Sequence, residues 1–235
     1  MARNVIVITG TSRGIGYELA LYFLEKKEYI VVGCSRGLPT ISNENYKHYQ
    51  LDVTNEIMVQ EWARKVKKEL QRVDILVCNV GLVSLGYVVG GLSLSVFRSF
   101  VDSILVSTFL VCREFSKIMA VQRSGRIINI TSTLANLHMT GTSAYASSKV
   151  AVTEFTKILA QELSQYGVTC NLIAPSLVNT EAANEFGQKW RERVLEKHAI
   201  KRAIEPKELG HIVEFFSDKR SSIVTGQVIN TCLIN

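Results

Sequence analysis

At 235 residues, with 47% hydrophobic residues and only three prolines, the chain has material for one α/β domain with a substantial core. Five cysteines (34, 78, 112, 170 and 232) form no C-x-x-C pair and four scattered histidines show no ligand spacing, which excludes a disulfide framework and leaves no metal site to expect. The net charge of +6 raises nucleic acid as a partner, but Lys65, Lys67 and Lys68, and Arg191, Arg193 and Lys197, alternate with acids as on a solvated helix face, so nucleic acid is set aside.

No apolar run reaches the ~18 residues that span a bilayer. Met1-Ala2-Arg3-Asn4 leads into a strand, not into a signal-peptide core. A cytoplasmic chain with reduced thiols and no membrane association is the expectation.

In chain order, strand-like runs fall at 5–8, 30–34, 47–51, 74–78, 126–130, 168–173 and 227–230, separated by helical patterns. That alternation predicts a Rossmann-type α/β fold, a doubly wound seven-stranded parallel sheet with helices on both faces. The first run, Val5-Ile6-Val7-Ile8, is β-branched as a buried parallel strand is, and it feeds directly into Thr9-Gly10-Thr11-Ser12-Arg13-Gly14-Ile15-Gly16. A helical pattern (Leu19, Ala20, Phe23, Leu24) follows. Glycines there let the backbone approach a pyrophosphate, and the helix start offers free N–H groups and positive dipole.

After the second run comes Ser35, then Arg36, about twenty residues past the last glycine, where dinucleotide folds that take NADH carry an acid on the ribose 2′-hydroxyl. A carboxylate there would repel a 2′-phosphate, whereas Arg36, with Arg13 inside the glycine turn, can grip one. NADPH over NADH is the expected cofactor. Further along, 93–122 reads as a long helix, and 143–165 as another.

Tyr145 and Lys149 lie four residues apart in Y-A-S-S-K, on one helix face, with Ser132 thirteen residues upstream at the end of a strand. A neighbouring ammonium lowers a phenol pKa from about 10 toward working pH. Such a tyrosine can give a proton to a carbonyl oxygen or take one from an alcohol, with Ser132 bonding the same oxygen.

These motifs, in this order, resemble the classical short-chain dehydrogenases/reductases over essentially the whole chain, and ketoacyl reductases among them. The resemblance matches the T-G-x-x-x-G-x-G turn to Thr9–Gly16, the adenine-contacting D-V to Asp52-Val53, and N-N-A-G to Cys78-Asn79-Val80-Gly81. It also matches the catalytic Ser, Tyr and Lys to Ser132, Tyr145 and Lys149, and P-G-x-x-x-T to Pro175-Ser176-Leu177-Val178-Asn179-Thr180. It therefore implies a cofactor held by Gly10, Ser12, Arg13, Gly14, Ile15, Gly16, Ser35, Arg36, Asp52, Val53, Asn79, Gly81, Tyr145, Lys149, Pro175, Val178 and Thr180. It further implies one domain over 1–235, a substrate lid at about 177–205, and a homodimer or homotetramer.

The departures are specific. Ile104 stands where the family has a catalytic asparagine, keeping the main-chain carbonyl of a proton relay but losing the amide; Ser107, one turn later, is a substitute donor. Ser176 replaces a glycine, and the usual D-G-G near the C-terminus is missing from Asn230–Asn235. In the lid, Ala183, Phe186, Trp190 and Val194 recur as an apolar helical stripe. With Leu82, Val83, Leu134, Leu137 and Met139 they suit a small apolar ketone or aldehyde, free or carrier-bound. The same scaffold also serves a redox-neutral lyase or isomerase, or a non-catalytic NADPH-binding protein.

Overall fold

The structure, a computed structural model, describes residues 3–232; Met1-Ala2 of the N-terminal reading and residues 233–235 of the missing D-G-G segment lie outside the described residues. Seven parallel strands stand in the order β3-β2-β1-β4-β5-β6-β7. They are β1 (Asn4–Thr9), β2 (Tyr29–Ser35), β3 (Tyr46–Gln50), β4 (Ile75–Cys78), β5 (Gly125–Ile130), β6 (Val168–Ala174) and β7 (Val228–Asn230). The expected runs match these within about two residues at each end, the usual uncertainty of an element's edge.

Because side chains alternate across a strand, each central strand feeds two cores. Val5, Val7, Leu76, Cys78 and Ile127 face one side, against α2 (Glu56–Leu70), α4 (Ser107–Gln122) and α6 (Ser143–Leu163). Ile6, Ile8, Val77, Ile128 and Ile173 face the other, against α1 (Gly14–Leu24) and α9 (Pro206–Ser217). Each such aliphatic side chain, fully buried, contributes about 1.5–3 kcal/mol by its removal from water. The α2 helix shows how sequence sets an element: Asn55 accepts from the Met58 N–H at 3.1 Å, Glu56 opens it, and Lys67 and Lys68 close it. Its Val59, Trp62, Ala63 and Val66 form the buried stripe.

The long helix read at 93–122 is α3 (Leu94–Val101), a π-helical turn (Asp102–Val106) and α4, in unbroken succession. Over Leu94–Gln122 it is long and apolar enough to cross a membrane by length and composition, which corrects the expectation that no segment reaches that size. A count of uninterrupted apolar residues stops at Arg98, Asp102 and Arg113, whereas the helix does not. Here Leu110, Val111, Phe115 and Met119 are packed into the core beside β4 and β5.

Strand order reverses between β1 and β4, whose carboxyl ends open a crevice, the place where open α/β sheets take ligands.

Candidate active site

At the β1 end of this crevice the chain makes a cradle. Gly10 has φ +77°, and a Cβ there would lie 3.0 Å from Val80 Cγ2. At Gly16 a Cβ would fall 2.2 Å from the Gly10 carbonyl oxygen and 2.6 Å from Asn79 Nδ2, so only glycine lets α1 start this close to β1. Arg13, the N-cap of α1, gives its N-terminus no side-chain cap, and that helix start keeps N–H groups for an anion. Asn79 serves as a brace: its backbone N–H donates to Thr9 Oγ1 at 2.9 Å and its side-chain amide to the Thr9 carbonyl at 3.1 Å. The donor set and the missing Cβ atoms fit a dinucleotide pyrophosphate.

The other predicted cradle residues surround this turn. Ser35 is half-buried at the end of β2, and Arg36 and Arg13 are exposed. Asp52 accepts from the Thr54 N–H and hydroxyl at 2.9 and 2.8 Å, a local turn that leaves Val53 buried beside it. Thr180 caps α7 (Glu181–Asn184) through the Ala183 N–H, and its methyl lies 3.9 Å from the position of a Gly14 Cβ. That contact brings the start of the 177–205 segment onto the glycine turn. Val178 and Ile204 pair as a parallel bridge, so the ends of that segment are pinned together.

At the β5–β6 end, Ser132, Tyr145 and Lys149 converge, and all three are buried. Ser132 follows β5, while Tyr145 and Lys149 sit one turn apart on α6. The Leu134 N–H donates to Ser132 Oγ at 3.2 Å, and that hydroxyl reaches the Pro175 carbonyl only at 3.5 Å. Burial raises the Tyr145 pKa above the usual phenol value, and its hydrogen bond with Ser132 pulls it partly back. Burial also pushes Lys149 down to about 8.

Two expectations are corrected here. Lys149 does not lower the phenol pKa: its Nζ lies 5.9 Å from the Tyr145 ring centroid and donates to the Ile130 carbonyl at 2.8 Å. Burial favours the neutral phenol, and the Ser132 hydrogen bond acts against it. Ser107 is no substitute donor either, since its hydroxyl bonds the Ser103 carbonyl at 2.6 Å. The Ile104 carbonyl, kept for a relay, accepts Thr108 Oγ1 at 2.6 Å. Ile104 itself is buried, and a Cβ on Gly81 would lie 3.3 Å from its Cγ1 and 3.5 Å from Lys149 Nζ. Gly81 thus lets the long helix and α6 meet around the lysine.

The apolar lid stripe is split in two, because Gly187 at φ +72° separates α7 from α8 (Gln188–Glu196). Phe186 and Trp190 pack at 4.8 Å between ring centroids, their planes tilted by 46°. Met139 and Trp190 touch both the lid cluster (Leu177, Ala183, Val194) and the cluster holding Tyr145, Leu134 and Ile104. Leu82 and Val83 are exposed at the rim. Sequence reasoning missed the Ile130 carbonyl, which no side-chain pattern marks, and Tyr46, whose hydroxyl lies over Gly33. A glycine inside a β-branched strand is the signal that points to it.

With this geometry in hand, comparison with known proteins is direct. Residues 4–191 match the family model for short chain dehydrogenases. The 3-oxoacyl-[acyl-carrier-protein] reductase of Buchnera aphidicola is 30% identical over 234 residues, covering 97% of this chain and 95% of that protein. The enzyme of the same name from Thermotoga maritima is 29% identical, with 96% and 95% covered. Among solved structures, ElxO with NADP bound superposes at TM-score 0.89 with 26% identity, covering 98% of this chain and 97% of that one. The ligand-free aldohexose dehydrogenase of Thermoplasma acidophilum gives 0.87 and 25%, with 98% and 92% covered. The chain belongs to the short-chain dehydrogenase/reductase family and is an oxidoreductase that works with a nicotinamide dinucleotide.

Proposed function

We propose that the chain reduces a ketone or aldehyde to an alcohol with NADPH, on an apolar substrate presented as a carrier-bound 3-oxoacyl thioester. The observation that carries this reading is the buried meeting of Ser132, Tyr145 and Lys149 beside a glycine cradle. The names of the 3-oxoacyl reductase relatives support the substrate class, and ElxO with NADP bound supports the cofactor. When bound, the cofactor supplies the hydride.

Tyr145 holds its proton above neutral pH because burial favours the neutral phenol, which suits a general acid at a carbonyl oxygen. Ser132, beside Tyr145, turns its hydroxyl to the same oxygen as negative charge gathers there. Lys149, with a pKa near 8, stays cationic at pH 7 and offers the nicotinamide ribose a charged donor. Gly10, Ser12, Gly14, Ile15, Gly16 and Asn79 form the pyrophosphate turn, and Asp52 and Val53 the adenine end. Gly81, Pro175, Val178 and Thr180 form the nicotinamide end, and Arg13, Ser35 and Arg36 take the 2′-phosphate.

In this reading residues 1–235 act as one domain in which 177–205 is the lid, with Trp190 and Met139 as its contact to the catalytic cluster. The four fully buried free thiols are in keeping with a cytoplasmic setting. Exposed Phe109 and Val121 on α4, and Val150 and Ile158 on α6, supply an apolar face for a homodimer or homotetramer.

The test is NADPH consumption by the purified protein over ketones, diketones and 3-oxoacyl thioesters, with NADH alongside. Alcohol formed mole for mole with NADPH oxidised is the expected result. Product formed without cofactor consumption would replace this reading with lyase or isomerase chemistry.

A further inference from the structure

The residues of β3 alternate between two tasks. Lys47 and Tyr49 point one way, to Glu69 of α2, at 3.2 and 2.9 Å. Tyr46, His48 and Gln50 point the other, toward the cofactor side of β2. Gln50 Nε2 donates to the Arg36 carbonyl at 2.9 Å. His48 Nε2 lies 3.0 Å from the Gly37 carbonyl and 3.3 Å from Ser35 Oγ, while its Nδ1 lies 3.0 Å from the Tyr46 hydroxyl. Tyr46 in turn meets Thr11 Oγ1 at 2.7 Å. A polar chain therefore runs from inside the glycine turn to the loop after β2.

Its direction follows from donor chemistry. The Gly37 carbonyl only accepts, so Nε2 carries the ring proton, and in the neutral ring Nδ1 accepts. The Tyr46 hydroxyl must then donate to Nδ1, and the Thr11 hydroxyl to Tyr46. Ser35 also donates to the Gly37 carbonyl, at 3.1 Å. That carbonyl thus has two donors, of which the histidine is the closer. The sequence is built around this chain: a Cβ on Gly33 would lie 2.2 Å from the Tyr46 hydroxyl oxygen and 2.4 Å from Thr11 Oγ1.

We propose that His48 is a positioning residue for the 2′-phosphate of NADPH, holding the Gly37 carbonyl so that the Ser35 hydroxyl can donate to the phosphate instead. The inference rests on the reading that Ser35 and Arg36 grip that phosphate. Without His48, the exposed Gly37 carbonyl would be left to water whenever Ser35 turned to the ligand, and the Arg36–Gly37 backbone would lose one of its two side-chain ties to β3. NADH has no phosphate there, so its binding depends far less on His48.

The experiment measures equilibrium dissociation constants of NADPH and NADH by fluorescence titration, with no substrate present. His48→Phe keeps the ring volume and removes both nitrogens. It is expected to weaken NADPH about tenfold, the scale of one lost hydrogen bond, and to leave NADH within about twofold. His48→Gln, which returns an amide donor, recovers most of the loss. Ser35→Ala weakens NADPH to a similar degree, and the double variant Ser35→Ala/His48→Phe is no weaker than either single one. Should the phenylalanine variant not fold, His48→Ala carries the same expectations. Equal losses for NADPH and NADH, no loss at all, or additive losses in the double variant would overturn the proposal. Arg36→Ala runs in parallel: if it leaves the NADPH to NADH ratio unchanged, the phosphate reading itself has failed and His48 falls with it. If that ratio drops while His48→Phe stays silent, only the role of His48 is lost.

Discussion

The two ends of the crevice are built differently. The proposed adenine end, from the glycine turn to β3, is held by backbone geometry: missing Cβ atoms, a helix start, and loop carbonyls tied to Gln50 and His48. The proposed catalytic end is held by burial: Ser132, Tyr145 and Lys149 are all buried, and an isoleucine stands where the family has asparagine. On the proposed reading, binding at the first end rests on what is absent from the chain and chemistry at the second on how burial sets proton affinity.

The largest expected effect that separates the two lies at Gly16. A methyl there has no room, so Gly16→Ala should cost about 3 kcal/mol or more and abolish dinucleotide binding. Gly90→Ala, where a Cβ meets nothing within 4 Å, should stay within about 0.5 kcal/mol. Denaturant unfolding of both variants checks the contrast, and equal losses would break it. At the same end, Arg36→Ala should lower the preference for NADPH over NADH by about 10- to 100-fold through a lost charge-assisted bond, read by titration of each cofactor.

At the catalytic end the handle is pH. Lys149 releases its proton at about 8, while Tyr145 keeps its own above the ordinary phenol value. For reduction, kcat/KM should therefore fall above about pH 8 as the lysine neutralises, not near 10 as it would if the tyrosine set the limb. The same shift has a stability consequence. Between about pH 8 and the free lysine value near 10.4 the unfolded chain holds a proton that the folded chain has released, so stability rises with pH across that window. Lys149→Met should flatten that rise in pH-dependent denaturation curves.

The smallest expected effect concerns the relay. Thr108→Val frees the Ile104 carbonyl with little change of shape, and turnover should move by less than about threefold because Lys149 is bonded to Ile130 instead. A tenfold rise would show that Thr108 had been blocking a relay through the long helix.

The fold and the glycine turn were legible because their determinants are local. A β-branched run followed by G-x-x-x-G-x-G and an apolar helical stripe specifies strand, turn and helix within about twenty residues. The one-turn spacing of Tyr145 and Lys149 on α6 was legible for the same reason. The proton affinities were not, since they depend on burial by elements distant in sequence, and a four-residue spacing alone suggested a lowered phenol pKa. The π-helical turn at Asp102–Val106 and the Thr108 bond to Ile104 leave no sequence mark. The lid stripe was visible, but its break at Gly187 needed weight given to one glycine in an otherwise helical pattern.

The most direct test of the account is turnover of a 3-oxoacyl thioester with NADPH by Tyr145→Phe beside the unchanged protein. The substitution removes one oxygen and leaves the buried ring. We expect kcat to drop by about 10²–10⁴ with NADPH affinity and thermal stability nearly unchanged. Undiminished turnover in Tyr145→Phe would contradict the account, because the proton would then reach the carbonyl oxygen by another route.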